Sequence, residues 1–485
     1  MPAHVSLGAP TPSARTGTTP ETAPAPGGRA WLTTAVATIV VSISVVLGVR
    51  PISDPSPWPH LKVGAFLLEG GRFALPDPWA PFATRAYVPT EWLPEIVGQE
   101  IYHAFGLPGI AWLRCAGILG LLCALMWSAR RSADTVTCAL VALLALVGAY
   151  NDLTERPQLV GLVLLAVAVG AWWRTGLDLK PRWWLVPMTW LWACCHGLWA
   201  VGIAVGLVSI AGLLLDRRLT RATATRLLAI PFLSVGAAAL TPLGPRLLPA
   251  TLAVGQNANQ FVAEWQSTSF HNPFAIVTLT MLGVVVLSWV RLRRQPGWWQ
   301  VGFLLTGVVA TMAATRTIAV GAVIAAPLLA QEVQLYRGRR VVATTGRHRS
   351  ALTALILMAL VVAAPLSAAR AQSPAAVPQR LMPQLSAIPT GTVVLAQGDI
   401  SGWLFWADPG VRLVLDPRIE IYSAAHIRSF ISAMATGPQW RQFVDQTQSR
   451  YALVPSSSPI AGALVQRAGW SQIGEDAGYV LLRAP

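Results

Sequence analysis

About eleven apolar runs recur along this chain, most of them long enough to cross a bilayer and one, 183–196, short for it, and they are separated mostly by short, arginine-bearing loops. They cover residues 31–49, 107–128, 134–150, 157–173, 183–196, 198–215, 227–243, 273–290, 298–314, 317–333 and 351–369. In lipid every backbone N–H and C=O must be bonded within the protein, and runs of this length meet that demand as helices. Charged residues make up 12% of the chain and mean hydropathy is +0.53, against about 25% charged in soluble domains. An α-helical integral membrane bundle is therefore predicted.

The basic residues orient it. With the N-terminus cytoplasmic, the inside loops receive Arg130 and Arg131, then Arg174, Lys180 and Arg182, then Arg217, Arg218, Arg221 and Arg226. Arg291, Arg293 and Arg294 follow, and the last inside loop holds Arg337, Arg339, Arg340, Arg347 and Arg349. Each short inside loop then carries a basic cluster, as positive-inside topology requires. The net charge of +15 is thereby dispersed over loops and forms no continuous basic face, which argues against a nucleic-acid partner. Cys115, Cys123, Cys138, Cys194 and Cys195 lie in or beside apolar spans, so neither a disulfide framework nor a zinc site is indicated.

Three regions follow. Residues 1–30 are rich in Ala, Pro, Thr and Gly and are expected to form a disordered cytoplasmic tail. Residues 31–370 are the polytopic membrane domain, with a large first exterior loop at 50–106 and an apolar segment at 247–254 too short to cross. Residues 371–485 read as a small extracytoplasmic α/β domain. Strands are expected at 393–396, 411–415 and 451–454, helices at 424–435, 438–446 and 460–469, and a hairpin from 470–473 and 479–482.

Ionisable groups near a membrane are costly to desolvate, so their placement carries functional information. Asp54, His60, Asp77, Glu91, Asp152, Arg156, His196, Glu264 and Arg316 all fall on the exterior face in this topology. Arginines there would hold phosphate oxygens of a lipid headgroup, and a carboxylate would take a proton from an attacking hydroxyl. The bland reading is a set of solvated loop charges and structural ion pairs. Asp54, just after the first span, is the leading candidate base, although Asp54-Pro55 is also a turn signal, as is Asp77-Pro78. His196 suits a base, a phosphate partner, a metal ligand or a hydrogen-bonded break between helices. A divalent ion shared by Asp54 and Asp77 is the possible cofactor, but no residues have metal-ligand spacing. Asp416-Pro417-Arg418 reads as a ligand edge or as a turn held by an Asp–Arg pair.

Several stretches form one further pattern along the chain. They are Asp54, Trp58, His60, Leu61 and Gly64, then Asp77-Pro78, Glu91-Trp92-Leu93 and Arg156-Pro157-Gln158. Trp192-Ala193-Cys194-Cys195-His196-Gly197, Thr241-Pro242-Leu243-Gly244 and Glu264-Trp265-Gln266 continue the pattern. Arg316, and Asp416 with Arg418 and Tyr422, complete it. Together these stretches resemble a family of bacterial multispanning proteins similar to the GT-C class of polyprenyl-phosphate-sugar-dependent glycosyltransferases. Against that family's pattern, Ser56 stands where a second Asp can occur, and Pro59 replaces an aromatic, Thr90 a His and Cys194 an Asn.

The resemblance implies a GT-C-like bundle in the bilayer, a lipid-phosphate sugar donor and a catalytic Asp in the first exterior loop. On that basis Asp54 and Glu91 are expected to be catalytic, while His60, Asp77, Arg156, His196, Glu264 and Arg316 bind substrate. The expected function is transfer of a sugar from a polyprenyl-phosphate carrier to an extracytoplasmic acceptor. The alternative is a non-catalytic scaffold or lipid-binding protein that keeps the fold.

Overall fold

The computed structural model describes residues 26–338, 346–408 and 410–485. Most of the expected tail, residues 1–25, lies outside the described residues, as do Arg339 and Arg340. In chain order the membrane region has helices α1 (Pro26–Gly48), α2 (Pro57–Leu68), α3 (Trp92–Ala129), α4 (Thr135–Gly148), α5 (Gln158–Asp178), α6 (Leu185–Cys195) and α7 (Trp199–Leu215). It continues with α8 (Arg221–Ala239), α9 (Leu247–Phe261), α10 (Pro273–Arg291), α11 (Trp298–Ala313), α12 (Ile318–Tyr336) and α13 (Gly346–Arg370). Each expected span coincides with one of these helices. Among the described residues seven helices are long and apolar enough to cross a membrane, and α4, α6, α7 and α11 are shorter apolar helices. The protein is a multi-pass membrane protein.

Three departures from the expected boundaries have local causes. α1 starts at Pro26, inside the stretch read as tail. α2 lies within the first loop; its two prolines sit in the first turn, where no N–H partner is lost, and Gly70, at φ 79, follows its end. α3 begins at Trp92, well before the expected 107, because its first turns are a separate helix joined across a break at Gly106 (φ 62), just ahead of Pro108.

α12 is the buried axis, with 83% of its apolar window inside the protein. Small residues allow the close approach: a Cβ on Gly321 would sit 2.9 Å from the Gly307 carbonyl of α11. The same device seats α2 on α3, because a Cβ on Gly64 would stand 2.1 Å from the Glu95 carbonyl oxygen. Backbone cannot yield as a side chain can, so Gly64→Ala is expected to displace α2, at about 1–3 kcal/mol or more, with a lower melting temperature in detergent. Gly236→Ala on α8, where nothing lies within 4 Å, should leave that temperature unchanged or raise it.

The C-terminal domain adds α14 (Met382–Ser386), α15 (Asp399–Ala407), α16 (Ala424–Met434), α17 (Trp440–Thr447) and α18 (Pro459–Ala468). Its strands β1 (Val393–Ala396), β2 (Arg412–Leu413), β3 (Tyr451–Pro455), β4 (Ser471–Asp476) and β5 (Tyr479–Arg483) form one sheet in the order β2-β1-β3-β5-β4. β1 runs parallel to β2 and β3, and β5 is antiparallel to β3 and β4. This sheet does not stand apart from the first loop. One core joins Ile52, Trp58 and Leu61 to Leu385, Trp403, Phe405, Leu413 and Leu481, and each such buried side chain contributes about 1.5–3 kcal/mol. The domain is thus fixed over the end of the bundle where α3 and α5 begin.

Candidate active site

The start of α5, the loop before α2, the start of α3 and the loop after α9 meet at this end of the bundle. Arg156, two residues before α5, donates from Nε to Asp54 Oδ2 at 3.0 Å and from Nη1 to both Glu264 oxygens at 2.8 Å. Glu264 also faces Arg316, Nη1 to Oε1 3.8 Å. Arg316 stacks over Trp265 and donates from Nη2 to Gln158 Oε1 at 2.8 Å, while Gln158 Nε2 donates to Asp152 at 2.8 Å. These two contacts fix the direction of the Gln158 amide. Burial pushes Asp152 up to about 7, against the pull of Arg316.

A second cluster centres on Glu91. His196 Nε2 lies 3.3 Å from Glu91 Oε1, and His60 Nε2 lies 3.7 Å from Oε2. His196 Nδ1 accepts the Leu198 N–H at 3.1 Å, so in the neutral ring the proton sits on Nε2 and points at Glu91. Burial, helped by Arg316 and His60, pushes the His196 pKa down to about 3 and keeps that ring neutral. Gly161 makes room for it, since a Cβ there would meet His196 Nδ1 at 3.0 Å.

His60 behaves oppositely. Burial lowers its pKa, but the Glu95 carboxylate bonded to Nδ1 at 3.0 Å, together with Glu91, outweighs burial and holds it above the usual value. Glu91 itself is raised, mainly by burial and also by Glu95, against His60, Arg316 and Arg156. Asp54 ends lower than usual: burial raises it, and Arg156 and the Ser56 N–H more than compensate.

These groups wall a cavity of about 220 Å³ lined by His60, Glu91, Glu95, Arg156, Gln158, His196 and Arg316. Pro417, Arg418 and Glu420 reach it from the C-terminal domain. Glu420 is pushed up to about 7, chiefly by burial. An apolar groove of about 300 Å³ adjoins the cavity and shares His60, Glu95 and Arg156 with it. Leu61, Leu93, Val97, Leu113, Leu159 and Val160 line this groove, and the exposure of Val97 and Val160 opens it to the apolar outside of the bundle.

Of the residues singled out in the sequence, Asp54, His60, Glu91, Arg156, His196, Glu264 and Arg316 converge here. Asp77 does not. Its carboxylate is buried and bound in a fork by Arg418, at 2.9 and 3.0 Å, while Oδ1 also accepts the Trp79 and Ala80 N–H groups. Asp416 holds the other side of Arg418 at 2.6 Å, and rings of Phe73, Trp79, Tyr87 and Phe405 surround the guanidinium. Asp77 therefore locks the first loop to the C-terminal domain, which corrects its reading as a substrate ligand. Asp54 and Asp77 are each bound to a different arginine and do not face one another across a shared site. Among the described residues no three His, Cys, Asp or Glu side chains are grouped as ligands of an ion.

Glu155, which lines the apolar groove, was not singled out in the sequence, and Gln158, Glu95 and Glu420 were given no site role of their own. Gln158 follows Arg156 in the same motif, and Glu95 lies one helical turn after Glu91, which are usable signals. The exterior placement of residues 371–485 puts Glu420 on the same face, but no sequence pattern brings it to this cavity.

The sequence matches no protein-family model and no curated protein. Solved structures do match. The archaeal oligosaccharyltransferase AglB from Archaeoglobus fulgidus, in complex with an inhibitory peptide and a dolichol-phosphate, aligns with a TM-score of 0.59 at 12% identity over 88% of this chain and 70% of that one. ArnT from Cupriavidus metallidurans, bound to undecaprenyl phosphate, aligns at 0.52 and 16% identity over 94% of this chain and 98% of that one. The fold is GT-C-like. Within that GT-C-like frame the cavity lies where the membrane helices meet the first loop and the C-terminal domain.

Proposed function

We propose that the protein is a membrane glycosyltransferase that moves a sugar from a polyprenyl-phosphate carrier to a hydroxyl-bearing acceptor outside the cytoplasmic membrane. The observation that carries this reading is the polar cavity opening directly into an apolar groove, with Arg156 and His60 at the junction. A long isoprenoid chain fits the groove, and its phosphate then falls between Arg156, Arg316 and a protonated His60. Glu264 now bridges the two arginines, and a phosphate would take that place with the same charge sense.

Glu91 is our choice of base rather than Asp54. Asp54 is engaged by Arg156 and by the Ser56 N–H, so we assign it to positioning Arg156. Glu91 lines the cavity and, among the described residues, its ion partners are His60 and His196 rather than an arginine. The acceptor O–H gives its proton to Glu91 as the oxygen attacks the anomeric carbon. The carbon–oxygen bond to phosphate breaks, and the leaving phosphate keeps the electron pair under the two guanidiniums. Attack from the side opposite the phosphate inverts the anomeric centre.

The test is full-length protein in lipid nanodiscs with polyprenyl-phosphate sugars, measuring carrier binding and sugar transfer separately. Binding with transfer to an acceptor supports the proposal. Absence of carrier binding by correctly folded protein rejects it, and binding without transfer returns the reading to a lipid-binding scaffold.

The pH profile is a further expectation. The ascending limb, set by loss of the Glu91 proton, should lie above 4.5, the ordinary value from which Glu91 is raised. The descending limb, set by loss of the His60 proton, should lie above 6.5, the value from which His60 is raised. His60→Gln should remove the descending limb, and a profile unchanged by it would take His60 out of phosphate binding.

A further inference from the structure

At the opposite end of α3 and α5 lies a charge arrangement that the transfer reaction does not use. Residues 158 to 178 span about 30 Å as helix, so this end is a bilayer away from the cavity. Stretches 127–131 and 174–184 contain five cations, Arg130, Arg131, Arg174, Lys180 and Arg182, and one carboxylate, Asp178. That carboxylate is taken: Arg131 reaches it at 3.0 Å and Arg182 at 2.9 Å.

The other two arginines flank a single indole. The Arg174 guanidinium stacks 3.4 Å from the Trp127 ring centroid and that of Arg130 lies at 5.9 Å. Arg174 is 6% exposed, donates to the Trp127 carbonyl, and its Nε is buried with no hydrogen-bond partner among the described residues. An arginine that only set topology would lie in the water with its donors solvated. Arg174 instead is desolvated beside further cations, a costly state unless an anion completes it. Trp183 and Trp184, 45% and 42% exposed, border the patch, and Trp184 packs edge-on against Trp127. Exposed tryptophans of this kind sit at headgroup depth.

We propose that Arg130 and Arg174, on either side of Trp127, form a binding site for the phosphate of an anionic phospholipid in the leaflet opposite the candidate active site. The phosphate would neutralise the pair, and the glycerol backbone would lie along Trp183 and Trp184. The ring–cation stack holds Arg174 in place before the lipid arrives, so little ordering is required on binding.

Thermal unfolding of the full chain in detergent, titrated with phosphatidylglycerol, phosphatidylcholine or sodium phosphate, tests this. Phosphatidylglycerol should stabilise the protein saturably, and phosphatidylcholine and sodium phosphate at matched concentration should not. Arg130 is exposed and makes no hydrogen bond among those described, so Arg130→Gln should fold normally. It should weaken phosphatidylglycerol about fivefold, the effect of one basic side chain at an anionic surface, with Arg130→Lys recovering part of the loss. Arg221→Gln, removing an exposed arginine at the start of α8, should leave the titration unchanged. Equal stabilisation by both lipids, or an equal loss in Arg221→Gln, overturns the proposal. Stabilisation by sodium phosphate alone reduces the site to an ion site and overturns the lipid assignment.

Discussion

Glu91→Gln is expected to lower sugar transfer by about 10²–10⁴-fold, the usual contribution of a positioned general base, while leaving polyprenyl-phosphate binding within a few-fold of wild type. The amide keeps the volume of the carboxylate and still accepts the His196 Nε2–H, which now lies 3.3 Å away. It cannot take the acceptor's proton. The phosphate-binding groups, Arg156 and Arg316, are bonded to Asp54, Glu264 and Gln158 and stay in place, which separates the chemical step from binding. Asp54→Asn should behave differently. It frees Arg156 from one of its two carboxylates, so the larger change is expected in carrier affinity. If Asp54→Asn abolishes transfer with binding intact and Glu91→Gln does not, the base assignment moves to Asp54. Single-turnover transfer measured beside carrier binding decides between them.

The second large effect is structural. Arg114→Met should destabilise the protein by about 3–5 kcal/mol, the cost of removing one partner from a buried ion pair. Arg114 is 2% exposed in the middle of α3. It donates to the Gly48 carbonyl at 2.7 Å, to the Arg50 carbonyl and to Glu155, whose side chain is 1% exposed. Burial raises the Glu155 pKa, with Arg114 opposing. Without Arg114 the carboxyl must take a proton or stay charged and unpaired. The damage should also reach the cavity, because Arg114 ties the turn ahead of Asp54 to the segment ahead of Arg156. Removing both charges, in Arg114→Met with Glu155→Leu, should recover part of the loss in melting temperature. A double variant no more stable than Arg114→Met would mean that the carbonyl contacts, rather than the ion pair, carry the stability.

How much of this was legible beforehand varies by element. The spans were, because a run of some twenty apolar residues has one way to satisfy its backbone in lipid. The break at Gly106 moved the visible start of α3 to Leu107 and hid the turns that carry Glu95. α2 was hidden because Pro57 and Pro59 stand at its start and interrupt any helical pattern there, although a first helical turn tolerates them. In the C-terminal domain β1, β3 and the closing hairpin follow β-branched runs bounded by turn residues. The α15 helix, Asp399–Ala407, was missed because its apolar residues are nearly continuous and show no helical period.

The site divides in the same way. That Asp54, His60, Glu91, Arg156, His196, Glu264 and Arg316 could come together was readable, since charge is scarce in this chain and the expected topology put them on one face. Their roles were not visible. Asp54 and Asp77 look alike in sequence, each an Asp followed by Pro, yet one holds Arg156 at the cavity and the other is sealed under Arg418. Helix crossing and loop packing bring together residues more than a hundred positions apart, and no local pattern encodes those distances.

The sequence by itself determined that this chain lies in a membrane and where its apolar helices run, because hydropathy is a local property. Only the tertiary structure decided which carboxylate is bound by arginine and which stands between two histidines. Pairing and desolvation in a low-dielectric site depend on what lies within a few ångströms in space.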